Sequence, residues 1–347
     1  GKLTVNLFLF LLASRLLQKR EWLNRLILVI LLVGLVVGSY GIRQQVDGVE
    51  QLATWNDPTS ELAQATRVYS FLGNPNLLAA YLLPMTGLSL AALFAWRLWL
   101  PKALAATLVI VNLLCLFLTQ SRGGWLGMVG LLGVFTGLSY YWWLPKMPRF
   151  WQRWLLPIAL WIGSVGIIAA FVLVEPIRMR VMSIFAGRED SSNNFRINVW
   201  EGVKAMIRAR PIIGIGPGNS AFNKVYPFFM NPKYNALSAY SIYLEILVET
   251  GIIGFSCMIW ILLLTFSRGV QLIHACRQRF APEGLWIMGA LAAIAGLLVH
   301  GAVDTVWYRP PVSTLWLFLI AIIAGQWASA YADSQAAKDP VLGSTPS

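Results

Sequence analysis

Residues 175–210 read EPIRMRVMSIFAGREDSSNNFRINVWEGVKAMIRAR, and this polar stretch interrupts a largely apolar chain. Apolar segments of about 20 residues lie on both sides of it, the length that crosses a hydrocarbon core of about 30 Å. The polar stretch continues to residue 240 and is rich in basic side chains: Arg178, Arg180, Arg188, Arg196, Lys204, Arg208, Arg210, Lys224 and Lys233, against Glu175, Glu189, Asp190 and Glu201. The pattern predicts a membrane protein with one large basic loop.

The composition places the chain among polytopic all-α membrane proteins. Of its 347 residues, 57% are hydrophobic and only 12% are charged, which excludes a soluble globular domain. The net charge of +12 would suggest a nucleic-acid partner in a soluble protein. Here much of that charge lies in short loops, where basic residues set membrane topology, so we expect no nucleic-acid partner.

The cysteines and histidines give no sign of a disulfide framework, a metal centre or a cofactor site. Cys115 and Cys257 fall inside apolar segments and Cys276 in a short link, without metal-ligand spacing. His274 and His300 are far apart in sequence, which gives a zinc site little support. We expect neither a metal nor a cofactor.

Hydropathy predicts about nine membrane spans: residues 3–17, 23–41, 75–96, 102–119, 123–143, 154–174, 241–266, 284–303 and 312–331. Because the first apolar run is short and the chain begins at Gly1, we expect that earlier helices were removed from the N-terminus. The spans divide the chain into an N-terminal bundle (1–174), a large loop (175–240), C-terminal helices (241–331) and a tail (332–347).

The links between spans alternate in charge, which predicts their orientation. Four links are basic and are expected in the cytoplasm by the positive-inside rule: Lys19, Arg20 and Arg25; Arg97 and Lys102; Lys146, Arg149 and Arg153; Arg268, Arg277 and Arg279. The remaining links, residues 42–74, 120–122, 175–240 and 304–311, are expected on the outer side. The tail is then cytoplasmic and the large basic loop faces outward.

An amphipathic helix is predicted at the centre of the large loop. Residues Ser191 to Asn194 offer N-caps, and Pro211 ends the pattern. Apolar side chains recur at helical spacing, and a second face carries side chains four residues apart: Arg196, Trp200, Lys204 and Arg208. We expect this helix at the outer membrane–water interface, either as part of a site or as a structural helix whose cations touch lipid phosphates.

A glycine-rich segment, Gly214-Ile215-Gly216-Pro217-Gly218-Asn219, follows this helix. It lacks the spacing and the βαβ surroundings of a dinucleotide fingerprint. The glycines permit either a tight turn or a close approach of the backbone to a ligand.

Several ionisable residues lie where charge is costly. Glu245 and Glu249 are four residues apart, near one face of the seventh span. Arg122 lies between two spans, and Asp304 and Arg309 flank the turn after the eighth span. Such groups usually face a bundle interior or a water-filled cavity. We expect four of them to converge with Arg196 at the outer face: Arg122, Glu249, Asp304 and Arg309. The alternative for each is a helix-end side chain or a structural ion pair.

Four stretches in the same order resemble segments of the O-antigen ligase and polymerase superfamily of bacterial inner-membrane proteins: Gly73–Ala79 with its Asn-Pro-Asn, Thr119–Gly124, Arg196–Gly216 and Tyr243–Gly254. Within it, Gly214–Asn219, Leu237–Ser241 and Asp304–Pro310 resemble the cyanobacterial group named as bicarbonate transporters (inorganic carbon transporter B-like). The superfamily likeness implies the inner (plasma) membrane, a periplasmic large loop and a glycan carried on undecaprenyl diphosphate.

The resemblance also suggests a set of site residues. Arg122, Arg196 and Arg309 would bind the diphosphate, because an arginine fork matches phosphate oxygens. Three further residues of the resembling stretches complete the candidate substrate-binding set: Asn76, Trp200 and Gly216. Membrane lipids are expected partners, and no oligomeric state is implied.

One position departs from the superfamily. Its ligases carry a His-Asn pair where this chain has Tyr240-Ser241. A tyrosine with a reference pKa of about 10 is a poor general base at neutral pH. Three candidates therefore remain for the catalytic position, Tyr240 itself, Glu249 and Asp304, unless the chain does not perform the transfer.

Two functions follow from these observations. The first is a metal-independent membrane glycosyltransferase acting on lipid-linked glycan at the outer face. The second is a bicarbonate transporter or accessory whose basic vestibule concentrates the anion. Against the second, the sequence shows no clearly broken helices aimed at a midplane site, and buried glutamates would repel an anion.

Overall fold

The computed structural model describes residues 2–49, 67–173, 175, 178–179, 181–182 and 187–336. Among these residues the regular secondary structure is helical, without a strand. Three parts of the predictions lie outside the described residues: Arg180 of the large loop, residues 50–66 of the first outer link, and the tail beyond Ala336. The all-α fold class is confirmed.

The described ranges contain these α-helices, in chain order: α1 (Lys2–Leu16), α2 (Arg20–Asp47), α3 (Pro75–Ala95), α4 (Trp99–Thr119), α5 (Arg122–Trp143), α6 (Arg149–Leu173), α7 (Ser191–Ala209), α8 (Asn219–Val225), α9 (Ile242–Arg279), α10 (Glu283–Gly301) and α11 (Pro310–Ala336). Short 3₁₀ turns at Ser70–Leu72, Leu144–Lys146, Gly187–Glu189, Tyr226–Phe228 and Val306–Tyr308 connect some of them.

Eight of the described helices are long and apolar enough to cross a membrane, so the protein is a multi-pass membrane protein. The remaining predicted span corresponds to α1, which is apolar but has only 15 residues. Helix α9 begins at the predicted start of the seventh span and continues beyond residue 266 to Arg279.

Helices α3 and α10 form the centre of the bundle. In each, 83% of the apolar window is buried, whereas none of the corresponding window of α6 is buried. Helix α10 packs most closely against α5 and α3, and α3 also packs against α4. The start of α5 and the end of α10 are therefore neighbours, which brings Arg122 close to the turn that carries Asp304. We call this end of the bundle, where α7 also packs, the loop end.

The large loop is attached to the bundle through a break in α9. At Gly251 the backbone leaves helical geometry, with φ 63° and ψ −167°. The segment before and within the glycine-rich motif pairs with the broken turn: Ile215 N–H donates to the Val248 carbonyl at 3.0 Å, Gly216 N–H to the Glu249 carbonyl at 3.0 Å, and Ile252 N–H to the Pro211 carbonyl at 2.9 Å. Helix α9 is therefore broken at Gly251, a feature that the sequence analysis did not single out.

Two glycines make this attachment possible. A Cβ atom on Gly214 would overlap the Glu249 carbonyl, and one on Gly251 would overlap the Ile212 carbonyl. Both glycines also have positive φ, at 69° and 63°, where side chains are disfavoured. Of the two roles predicted for these glycines, Gly214 therefore has the first: it allows a tight turn that packs closely against the backbone of α9.

Helix α7 forms at the predicted position, with one correction at its start. The N-cap is Asp190, whose carboxylate accepts a hydrogen bond from Asn193 N–H at 2.8 Å. Ser191 and the residues up to Asn194 lie inside the first turn and do not cap it. The apolar face is buried against the α8 region in a second hydrophobic cluster, formed by Val199, Val203, Met206, Phe222, Tyr226, Ala236, Ala239 and Val248. The loop therefore has a core of its own.

Candidate functional site

Arg122 is the first residue of α5, at the loop end. Ser121 caps the helix, with its hydroxyl accepting from Gly124 N–H at 3.2 Å. The Arg122 guanidinium forms an ion pair with Asp190 at 3.0 Å, and the two side chains are only 12% and 18% exposed. Because Asp190 also caps α7, one carboxylate joins the start of α5 to the start of α7.

Arg196 lies in the second turn of α7 and contacts the turn after α10. Its Nε donates to the Val303 carbonyl at 3.0 Å and its Nη1 to the Ser192 hydroxyl at 2.9 Å. Burial lowers the pKa of Arg196 from its ordinary value, the carboxylate of Asp304 raises it, and the like charge of Arg122 lowers it. A guanidinium remains protonated under these conditions, so two cations lie close together with carboxylates around them.

Asp304 is held in place by α3. The Asn76 side-chain amide donates to Asp304 Oδ2 at 2.7 Å, and Thr305 N–H donates to Oδ1 at 2.7 Å. Asn76 in turn accepts from Arg67 at 3.4 Å, and Asn74 caps α3 by accepting from the amides of the next turn. The Asn-Pro-Asn segment therefore starts a span, as expected, and its second asparagine orients a carboxylate at the loop end.

Tyr240 faces the same cluster from the end of the large loop. Its backbone has φ 49°, a conformation that costs energy for a bulky residue. Its ring packs edge-on against Phe195, with centroids 5.5 Å apart. Burial raises the pKa of Tyr240, the negative charge of Asp304 raises it further, and Arg196 opposes the change. At neutral pH the Tyr240 hydroxyl is therefore a hydrogen-bond donor and not a base.

The two glutamates of α9 lie deeper than the arginines. Glu245 is fully buried and Glu249 is 3% exposed. Glu245 accepts a short hydrogen bond from Ala239 N–H and lies close enough to Glu249 for the two carboxyl groups to interact. Glu245 therefore ties α9 to the loop backbone just before Tyr240.

The remaining predicted residues lie at different distances from this cluster. The Trp200 indole donates to the Ala239 carbonyl at 2.9 Å and so holds the backbone of the residue before Tyr240. Gly216 lies at the break in α9. Arg309 is exposed, and it is not among the charges that act on Arg196. The structure thus brings together four of the predicted residues: Arg122, Arg196, Asp304 and Tyr240. Two others support this cluster, because Asn76 orients Asp304 and Trp200 holds the chain before Tyr240.

Sequence reasoning missed two residues of this site. Asp190 was only one of the acidic residues of the basic loop, although an acid just before a Ser-Ser helix start is a recognisable N-cap signal. His300 was considered only as a metal ligand. It is fully buried at the end of α10, beside the first turn of α5. Over the described ranges, no group of three His, Cys, Asp or Glu side chains is arranged to hold a metal ion.

The fold and this cluster define a class: a polytopic α-helical membrane protein with a buried arginine and carboxylate cluster at one end of its bundle. The family model described as O-antigen ligase matches residues 105–259, from α4 through the break in α9. Arg122, Arg196, Tyr240 and Glu249 lie inside the match, which supports the resemblance to the O-antigen ligase superfamily and a glycan-handling role in a membrane. No curated protein matches the sequence significantly.

Proposed function

We propose that the protein transfers glycan from an undecaprenyl diphosphate carrier at the outer face of the bacterial inner membrane. The observation that carries the proposal is the pairing of Arg122 and Arg196 at the loop end, each partly buried and each close enough to affect the other electrostatically. Two cations held together at a helix bundle end favour a ligand with at least two negative charges. A diphosphate has that chemistry.

The contact between Arg122 and Asp190 suggests where a phosphate group would bind. The Asp190 carboxylate lies 3.0 Å from the guanidinium, so the arginine is positioned for an anionic oxygen. A guanidinium fork binds phosphate oxygens in the same bidentate manner as a carboxylate. Donors already in place would stabilise the diphosphate leaving group as its negative charge develops, the kind of contribution that is often the largest in catalysis.

Among the three candidates for the base, we favour Asp304. Tyr240 has a raised pKa, and Glu249 shares its environment with Glu245 below the cluster. Asp304 is partly exposed and oriented by Asn76. In the proposed step the acceptor hydroxyl gives its proton to Asp304, its oxygen bonds to the anomeric carbon of the glycan, and the bond from that carbon to the phosphate oxygen breaks. The electron pair leaves with the diphosphate.

The orientation follows the charge of the links. With the basic turns in the cytoplasm, the loop end is periplasmic and the C-terminus is cytoplasmic. The lipid-linked glycan then reaches Arg122 from the membrane. Membrane lipids are the further partners, and their phosphates would meet the exposed cations of the loop, among them Lys204, Arg208 and Arg210.

Bicarbonate transport is the second candidate, and the break in α9 at Gly251 favours it, because broken helices form ion sites in many transporters. The break is filled by the backbone of residues 211–216 of the large loop, and the two buried glutamates lie beside it. These features leave the lipid-linked glycan as the better-supported substrate.

The test compares both activities in one strain. A deletion strain is complemented with the wild type, Arg122→Ala, Arg196→Ala or Arg208→Ala, and the envelope glycan profile and the uptake of labelled bicarbonate are measured. We expect glycan to be lost or shortened in both cluster variants and restored by the wild type and by Arg208→Ala, with uptake unchanged. Normal glycan in both cluster variants would refute the transferase, and lowered uptake with normal glycan would establish the transporter.

A further inference from the structure

His300 is a buried polar group that the proposed chemistry leaves unused. Its side chain is fully buried, and neither ring nitrogen has a hydrogen-bond partner within the described part of the chain. A buried polar group without a partner is destabilising, and such groups call for an explanation in function or in an additional bound species. The neighbouring helix is shaped to admit this imidazole.

Gly123, the residue after Arg122, provides the room for the ring. A Cβ atom on Gly123 would lie 2.7 Å from His300 Cδ2 and 3.2 Å from Nε2. One turn later, a Cβ atom on Gly127 would lie 3.2 Å from His300 Cβ. Any side chain at Gly123 would displace the imidazole, so the ring is seated directly against the first turn of α5, beside the arginine proposed to bind phosphate.

The backbone after His300 connects the ring to the rest of the cluster. Val303 N–H donates to the His300 carbonyl at 3.1 Å, and the Val303 carbonyl accepts from Arg196 Nε at 3.0 Å. The next residue is Asp304. The charges that act on the imidazole are those of Asp304 and Arg196. A histidine therefore lies within the electrostatic reach of the carboxylate and of one of the cations, although the sequence has a tyrosine at the superfamily's histidine position.

Asp304 is the carboxylate that acts on the His300 ring. On α5, Gly123 and Gly127 pack against the His300 side chain. On α3, Asn76 contacts Asp304. On α9, the Tyr243 hydroxyl donates to the Leu298 carbonyl at 3.0 Å and is thereby committed to the backbone of α10. The cation from α7 is Arg196.

We propose that His300 is a positioning residue for the transfer, which accepts from Asp304 the proton that Asp304 takes from the acceptor hydroxyl. This inference rests on the proposed function. The proton moves from the acceptor oxygen to an Asp304 oxygen and then to a ring nitrogen of His300, directly or through one water, and the Asp304 carboxylate is restored. The imidazolium lies near that carboxylate and releases its proton after the diphosphate leaves. Catalytic hydrogen bonds are often long without substrate, which fits the lack of a partner for the ring here.

The chain offers a matched control, because it contains only two histidines. His274 lies on α9, in the part of that helix beyond the break, and its ring contacts the Tyr141 hydroxyl of α5. Transfer rates are measured between pH 3 and pH 9 in membrane vesicles from the complemented deletion strain, which contain the native lipid-linked glycan and its acceptor. We expect His274→Gln to follow the wild type, and His300→Gln to be about 100-fold slower and to lose the fall in rate on the acid side. Equal pH profiles for His300→Gln and the wild type would overturn the inference.

A second measurement keeps the inference testable if His300→Gln fails to fold. In His274→Gln carrying ¹⁵N-labelled histidine and no histidine tag, His300 gives the sole imidazole signal. We expect the ring to change protonation state between pH 3 and pH 9 with undecaprenyl diphosphate present, and Asp304→Asn to shift that titration. A ring that stays in one state in both proteins refutes the inference. If Arg122→Ala and Arg196→Ala lose transfer while His300→Gln keeps the wild-type pH profile of the transfer rate, this inference alone is refuted. If the arginine variants keep full transfer, the proposed function is refuted.

Discussion

Arg196 and Arg208 lie on the same helix and the same stripe of side chains spaced by four, yet their environments differ. Arg196 is partly buried and bonds the Val303 carbonyl, and its charge interacts with those of Asp304 and Arg122. Arg208 is exposed near the end of α7. The comparison teaches that the basic residues of the loop are of two kinds. Arg196, near the start of α7, has fixed contacts within a cluster, whereas Arg208, near its end, is exposed, and salt in the solvent screens its charge.

The largest expected effect tests this division directly. Arg196→Ala removes a cation from the cluster and leaves Asp304 without the opposite charge of Arg196, and we expect the rate of glycan transfer to fall about 10³-fold. Arg208→Ala removes the same charge from the exposed end, and we expect a change below about twofold. The measurement is the transfer rate in vesicles at matched protein levels. Equal losses in the two variants would show that net loop charge matters and that the cluster does not.

Asp304→Asn sharpens the comparison from the acidic side. The substitution keeps the shape of the side chain and one of its two accepted hydrogen bonds, from Asn76 or from Thr305 N–H, but removes the proposed base, so we expect transfer to fall about 10²–10⁴-fold. Asp190→Asn is the control, since that carboxylate caps α7 and pairs with Arg122. Its rate is expected to change much less than that of Asp304→Asn, with any loss accompanied by reduced thermal stability. A full rate in Asp304→Asn would move the base to another residue.

Gly214→Ala tests how the loop is held against α9. The added Cβ would overlap the Glu249 carbonyl and the residue has positive φ, so we expect a lower thermal unfolding temperature and a transfer rate reduced about tenfold or more. Gly133→Ala is the matched control, because nothing lies within 4 Å of a Cβ there and alanine is favoured over glycine in a helix. Unchanged stability in Gly214→Ala would contradict the observed packing.

The smallest expected effect concerns Tyr240. Its pKa is raised by burial and by Asp304, so the hydroxyl is protonated near neutral pH, and no loss or gain of its proton enters the rate there. Tyr240→Phe is therefore expected to retain transfer within about threefold, with the same pH profile below pH 9. A large loss, or a changed alkaline limb, would show that this tyrosine takes part in proton transfer.

Local patterns in the sequence predicted most of the fold. Runs of apolar residues identified the spans, and the recurrence of Val199, Val203 and Met206 identified α7, because a helix buries one face at fixed spacing. Spacing was not decisive for two features of α9. The long extension of α9 to Arg279 and its break at Gly251 depend on packing against other segments, and a helix with a glycine gives no local signal of such a break.

The sequence by itself determined that the chain crosses a membrane several times, that a helix lies in the large loop, and which ionisable residues interrupt the apolar pattern. These follow from composition and short-range periodicity. Only the tertiary structure decided which of those residues meet. Arg122 and Asp190 are 68 residues apart and Asn76 and Asp304 are 228 apart. Such pairs form because α3, α5 and α10 pack side by side, and the side-chain contacts of packed helices depend on their three-dimensional register, which no local spacing encodes.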